Sequence, residues 1–380
     1  MKITRIADAV VPIRSEISNA YISFSEMTAS AVAIHTDAGI TGYGFHSNGR
    51  YAQSGILRDR MIPRLMAAAP ASLLDEADGY IDPAKAWKIM MANEKPGGHG
   101  ERSVAVGTLD MALWDLAAKA RRKPLYALLA ERDGRQPDKH VFVYAAGGYY
   151  YPGKDIPSLL DELSGYLALG YNAVKIKIGG VPLDEDRKRI EAALGLLGPG
   201  QRLAVDANGR FDLETAVGYA EALNDYDLMW YEEPCDPLDF EILAEVAEVS
   251  KNPIATGENL FSVQDSVNLL RYGGLDPERD FLQMDPALSY GLVEFERILD
   301  AMEAYGWSSR RSIPHGGHQF ALHLAAGLHL HGNESYPGVF QPFGGFADAF
   351  PVHDGRVEIP DAPGIGIECK QNLWNVFKDL

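Results

Sequence analysis

The sequence predicts an α/β fold: a parallel barrel of alternating strands and helices with an α+β domain ahead of it. Three observations carry this. Apolar runs recur from about residue 140 onward, with amphipathic stretches between most of them. Asp206, Glu232 and Glu258 each end such a run, at equal intervals of 26 residues. That interval is about the length of one strand–helix unit. Before residue 125 the pattern changes to alternating segments that suit antiparallel strands.

The first part, residues 1–125, opens with KITRIADAVVPI and TASAVAIHTDAGITGYGF, two alternating segments with a turn at Asp37–Gly39. Helical stretches follow over Ile56–Ala69 and Ser103–Ala120. The second carries Val104, Val106, Leu109, Met111, Leu113, Trp114 and Leu116, which predicts deep packing. Residues 126–350 hold the repeat. Its apolar runs are Val141–Ala146, Ala173–Ile178, Leu203–Asp206, Leu228–Glu232, Ile254–Gly257, Phe281–Met284, Ser312–His315 and Gly332–Tyr336. Eight strands close a parallel barrel. Residues 351–380 are short, polar and rich in Gly and Pro, and are expected to pack back on the N-terminal domain.

Composition fits a folded enzyme. Of 380 residues, 46% are apolar, enough for a sizeable core. A net charge of −18 argues against nucleic acid or an anionic membrane as partner. Two cysteines, Cys235 and Cys369, make no disulfide framework. The N-terminus lacks the apolar core of a signal peptide and no segment approaches a membrane span, so a cytoplasmic location is expected.

Active sites of such barrels gather at the C-terminal ends of the strands. Asp206, Glu232 and Glu258 would therefore converge, and three oxygen donors without a thiolate suit a hard divalent cation such as Mg²⁺. The alternative is three solvated surface acids. On the second barrel strand, Lys175 and Lys177 alternate with Val174, Ile176 and Ile178. The apolar face must meet the helices, which turns both lysines to the barrel mouth. Mutual repulsion, with a nearby cation adding to it, is expected to lower their pKa values and leave Lys177 a usable base near neutrality.

Asp285 and His315 end the sixth and seventh runs, an acid and an imidazole on neighbouring strands that can form a dyad. Glu334 ends the eighth and is either a hydrogen-bond partner for a developing enolate or a loop cap. Two motifs mislead. Gly148–Lys154 nearly spells a phosphate-binding loop, but Asp155 follows where a hydroxyl is needed. His315, His318, His323, His329 and His331 lack the spacing of a zinc site.

Lys175-x-Lys177, the acid triplet, the Asp285/His315 pair and Glu334 together resemble the mandelate racemase subgroup of the enolase superfamily, over nearly the whole chain. The resemblance implies a (β/α)7β TIM-like barrel behind an α+β capping domain. It also implies Mg²⁺ on Asp206, Glu232 and Glu258, and abstraction of a proton α to a carboxylate. Ile17–Tyr21, Phe45–Tyr51, Asn93–Thr108, Tyr144–Lys154 and Pro314–Gln319 are most similar to bacterial D-tartrate dehydratases. Asn19, Asn48, Lys95 and Tyr149 are the expected substrate contacts, with Lys95 reading a distal carboxylate. The expected activity is a Mg²⁺-dependent hydro-lyase. Lys177 would take the α-proton and His315 would expel the β-hydroxyl of a small-molecule diacid, D-tartrate giving oxaloacetate. The competing expectations are a racemase or epimerase, and a catalytically silent binding barrel. A homo-oligomer is expected.

Overall fold

The computed structural model describes residues 1–13, 15–150, 153, 155–347 and 349–380. Tyr151, Pro152 and Lys154 of the Gly148–Lys154 stretch lie outside the described residues. Among the described residues no helix is long and apolar enough to cross a membrane.

β1 (Ile3–Pro12), β2 (Thr28–Thr36) and β3 (Thr41–Phe45) form an antiparallel sheet in that order. The helix Glu101–Ala120 lies against it, apolar or small on nearly every side and buried along most of its length. Close approach is what β3 needs glycine for. A Cβ on Gly44 would sit 2.2 Å from the Thr108 carbonyl oxygen. The helix expected over Ile56–Ala69 is broken instead into Ser54–Ile56, a π turn over Leu57–Met61, and Ile62–Ala67. Pro63 has no N–H to give the α ladder, and the turn before it widens.

The barrel strands are β4 (His140–Ala146), β5 (Ala173–Lys177), β6 (Arg202–Asp206), β7 (Tyr231–Glu232), β8 (Ile254–Thr256) and β9 (Phe281–Leu282), parallel neighbours in chain order. β10 (Asn333–Ser335) pairs with β4. The seventh run, Ser312–His315, is not a regular strand. It bridges Leu282 at Ser312 and donates from the Ile313 N–H to the Leu282 carbonyl at 2.9 Å. Pro314 removes one rung of the ladder. Every residue of β5 is buried, as parallel strands covered on both faces require. Side-chain caps at Asp155, Asp212, Asp239 and Ser262 start four of the barrel helices.

The tail differs from the expectation of a single resting place. β11 (Val352–His353) and β12 (Arg356–Glu358) form a hairpin, and β12 pairs with the first residues of β4. β10 reaches only Val143–Ala145, which leaves the start of β4 open to an added strand. Beyond the hairpin the chain returns to the first sheet, where Trp374 and Phe377 pack on Tyr43.

Candidate active site

The parallel register sets the centre. Lys177 is the partner of Asp206, and Asp206 of Glu232, across β5, β6 and β7. Glu258 lies two residues past the end of β8. One carboxylate oxygen from each of Asp206, Glu232 and Glu258 lies within 4.8 Å of the others. Neighbours hold them in place. Asp206 accepts from the Asn208 N–H at 2.8 Å. Glu232 accepts from Trp230 Nε1 at 2.7 Å and Gln283 Nε2 at 3.0 Å.

Both lysines face this centre. Lys177 Nζ is 2.5 Å from Asp206 Oδ2 and stands over the Tyr149 ring, 4.9 Å from its centroid. Lys175 Nζ pairs closely with Glu232, lies 2.8 Å from Glu334 Oε1 and 3.4 Å from Asp206. The expectation of depressed lysine pKa values is corrected here. Burial does lower them, but Glu232 and Glu334 outweigh it at Lys175, and Asp206 at Lys177. Both ammonium groups are held above the usual lysine range. Burial and then Asp206 push Glu232 up to about 8. Burial opposes the lowering of Asp206 and Glu334, yet the lysines keep Asp206 well below the carboxylate range and Lys175 brings Glu334 to about 2.

The dyad spans two neighbours, Asp285 just past β9 and His315 on the Ser312–His315 segment, which is separated from β5 by β10 and β4. His315 Nδ1 donates to Asp285 Oδ2 at 2.9 Å, and the Tyr336 hydroxyl is 3.0 Å from Nε2. Glu258 Oε2 is 3.7 Å and Glu334 Oε2 3.9 Å from the same nitrogen. Burial lowers the imidazole pKa, but these acids win and raise it to about 10. Glu334 also accepts from the Gly316 N–H at 3.0 Å. Two neighbouring histidines are engaged in the packing of the barrel helices. His318 caps the helix Gln319–Gly327 and His323 accepts from the Tyr126 N–H.

Lys177 and His315 line one cavity of about 980 Å³ with Glu258, Tyr149 and Tyr336. The capping domain forms its other wall through Asn19, Asn48, Arg50 and the loop Pro96–His99. Asn19 spends its Oδ1 on the N–H groups of Tyr21 and Ile22, both at 2.8 Å. Lys95 is exposed and stands outside the lining, although its loop contributes to it. Arg50 does line the cavity, and among the described residues it has no carboxylate partner. It donates to Asn259 Oδ1 at 2.9 Å and lies over Phe261.

Sequence reasoning missed Trp230, Gln283, Tyr336, Ser47 and Arg50. Alternation offered a signal for two of them, since Trp230 and Tyr336 share a strand face with Glu232 and Glu334. For Ser47 and Arg50 no local signal exists. Clustered carboxylate oxygens, two buried and that of Glu258 half-buried, with too little positive charge between them fit a hard divalent cation. Beside that centre, Lys177 and His315 line the same cavity.

Two family models match most of the chain. Residues 2–130 match the model of the mandelate racemase/muconate lactonizing enzyme N-terminal domain, and residues 158–373 that of the enolase C-terminal domain-like family. The L-talarate/galactarate dehydratase of Salmonella typhimurium is 29% identical over 97% of this chain and 88% of its own. The 3,6-anhydro-alpha-L-galactonate cycloisomerase of Streptomyces coelicolor is 30% identical over 88% of this chain and 87% of its own. The crystal structure of L-talarate dehydratase from Polaromonas sp. JS666, complexed with Mg and L-glucarate, superposes with a TM-score of 0.79. It is 28% identical, covering 96% of this chain and 94% of that one.

Proposed function

The chain belongs to the mandelate racemase/muconate lactonizing enzyme family of enolase-like proteins, and on that premise we propose that it is a Mg²⁺-dependent acid-sugar dehydratase. The substrate we favour is a hydroxy-diacid, with D-tartrate as the specific choice. One observation carries the reading: Lys177 and His315 line the same cavity from two sides, next to three converging carboxylates. Asp206, Glu232 and Glu258 would hold the cation, a donor set of hard oxygens that suits Mg²⁺. Bound there, Mg²⁺ would take up carboxylate charge that otherwise keeps Lys177 protonated and would stabilise negative charge on the substrate carboxylate.

The residues then divide the work. Lys177 removes the proton α to the carboxylate, and the electron pair of that C–H bond forms a C=C bond. His315, paired through Nδ1 with Asp285, delivers a proton to the β-hydroxyl as the C–O bond breaks, and water leaves. Asp285 holds the imidazole with Nδ1 protonated and Nε2 toward the cavity. Lys175 supplies positive charge beside the developing carboxylate charge, and Glu334 anchors Lys175. Asn19, Asn48 and Tyr149, which line the cavity, serve as substrate contacts, and Arg50 or Lys95 reads a distal carboxylate. The enol product tautomerises to a keto acid, oxaloacetate if tartrate is the substrate.

The same two groups could return the proton to the opposite face and racemise the substrate. A screen of sugar mono- and diacids with Mg²⁺, read by keto-acid formation and by optical rotation, separates the readings. Keto acid from a hydroxy-diacid is expected. Inversion without keto acid would replace dehydration by racemisation, and keto acid from longer diacids alone would remove tartrate.

A further inference from the structure

We propose that Ser47, a capping-domain residue, is a positioning residue for the general acid, acting through Asp285 on His315. The inference rests on the reading of His315 as the acid that expels the hydroxyl. β3 ends at Phe45, and the chain passes directly into His46, Ser47 and Asn48, all buried. Ser47 Oγ donates a short hydrogen bond to Asp285 Oδ2, across 238 residues of sequence. That oxygen is the one that accepts from His315 Nδ1. The other oxygen, Oδ1, accepts from the Ala287 N–H at 2.7 Å. Asp285 is thus fixed from both of its oxygens, once by its own loop and once by the other domain.

A carboxylate held by one backbone N–H alone can still turn about its terminal torsion, which is soft. The Ser47 hydroxyl closes that freedom and aims Oδ2 at the imidazole. Ser47 itself is placed by rigid parts. Phe45 packs on His318 with ring centroids 5.5 Å apart and on Phe343 at 5.0 Å. Gly42 and Gly44 press β3 onto the helix Glu101–Ala120. His46 Nδ1 lies 2.7 Å from the Ser47 carbonyl oxygen. The consequence is a division of labour in the reaction. Lys177 is anchored wholly within the barrel, so proton abstraction does not depend on this contact. Expulsion of the hydroxyl does, because the proton must leave a correctly aimed Nε2.

Two readouts on Ser47→Ala test this: exchange of the substrate α-proton with deuterated solvent, and release of keto acid, both with Mg²⁺ present. Product formation should fall by about 10- to 100-fold, the usual cost of removing such an outer partner, while exchange persists. Ser47→Thr keeps the hydroxyl and should restore product formation. Equal loss of exchange and product, or loss of neither, overturns the proposal. So does failure of Ser47→Thr to recover when Mg²⁺ binding is intact. His315→Asn serves as the control for the underlying reading. If that variant still releases keto acid at the native rate, the general-acid assignment fails. If it does not, and Ser47→Ala does, only the role of Ser47 fails.

Discussion

The barrel mouth and the capping domain meet at one cavity but are built from opposite materials. The barrel contributes charge: two buried lysines within ion-pair distance of three buried carboxylates, and the half-buried Glu258 beside the His315 imidazole. The capping domain contributes mostly neutral hydrogen-bonding groups, Asn19, Ser47 and Asn48, with Arg50 as its cavity-lining cation of full charge. Buried charges survive only when rigidly paired, and a closed ladder of strands supplies that rigidity. Loops that must adapt to a substrate carry groups whose misplacement costs less. On the proposed function, chemistry would reside in the barrel and selection in the cap, with Ser47 the cap's contribution to the chemistry.

The largest test of this contrast removes charge from the barrel. Asp206→Asn or Glu232→Gln should abolish activity and Mg²⁺ binding while the fold is kept, read by calorimetric titration with Mg²⁺ and by circular dichroism. Undiminished Mg²⁺ binding in both variants would place the cation elsewhere. Next come the proton-transfer groups, each expected to contribute about 10²–10⁴-fold. Lys177→Ala should stop α-proton exchange in deuterated solvent and product release together. His315→Asn should stop product release and leave exchange measurable. Identical behaviour of the two would mean that the barrel does not divide the steps between its two sides.

The cap should yield smaller, substrate-dependent effects. A charge-assisted hydrogen bond to a distal carboxylate contributes about 1.5–3 kcal/mol, roughly 10- to 150-fold in kcat/KM. Arg50→Met and Lys95→Ala, each assayed with a diacid and the matching monoacid, show which cation reads that carboxylate. The one that does should narrow the diacid's advantage by that factor. If neither narrows it, selection does not lie in these loops.

The smallest effect lies away from the cavity, where the helices Leu125–Arg132 and Gln319–Gly327 meet and Tyr126 donates its N–H to His323. Burial lowers the His323 pKa from 6.5 to about 3. The unfolded chain then binds more protons than the folded one below pH 6.5, so stability falls as pH drops toward 3 and is unaffected above 6.5. His323→Asn should flatten that limb in denaturant titrations at several pH values. An unchanged limb would assign the acid sensitivity to other groups, such as His318.

Legibility follows the same boundary. The acids, both lysines, Asp285, His315 and Glu334 were visible because strand alternation and a regular repeat fix which side chains share the barrel mouth. Trp230 and Tyr336 obeyed that rule too and were passed over. The lysines' basicity was misjudged because repulsion between two neighbours in sequence is visible there, whereas attraction from Asp206, Glu232 and Glu334 is not. The exposure of Lys95 and the reach of Arg50 depend on loops without periodicity. The tail's hairpin depended on an edge of β4 that exists only once the barrel has closed.

By itself, then, the order of residues determined the barrel, its capping domain and the groups at its mouth, since hydrophobic period and spacing are local quantities that a repeating fold converts directly into position. The protonation of those groups and the contact of Ser47 with Asp285 were decided only by tertiary structure. Both depend on distances between segments far apart in the chain, and electrostatic and hydrogen-bond energies are set by those distances.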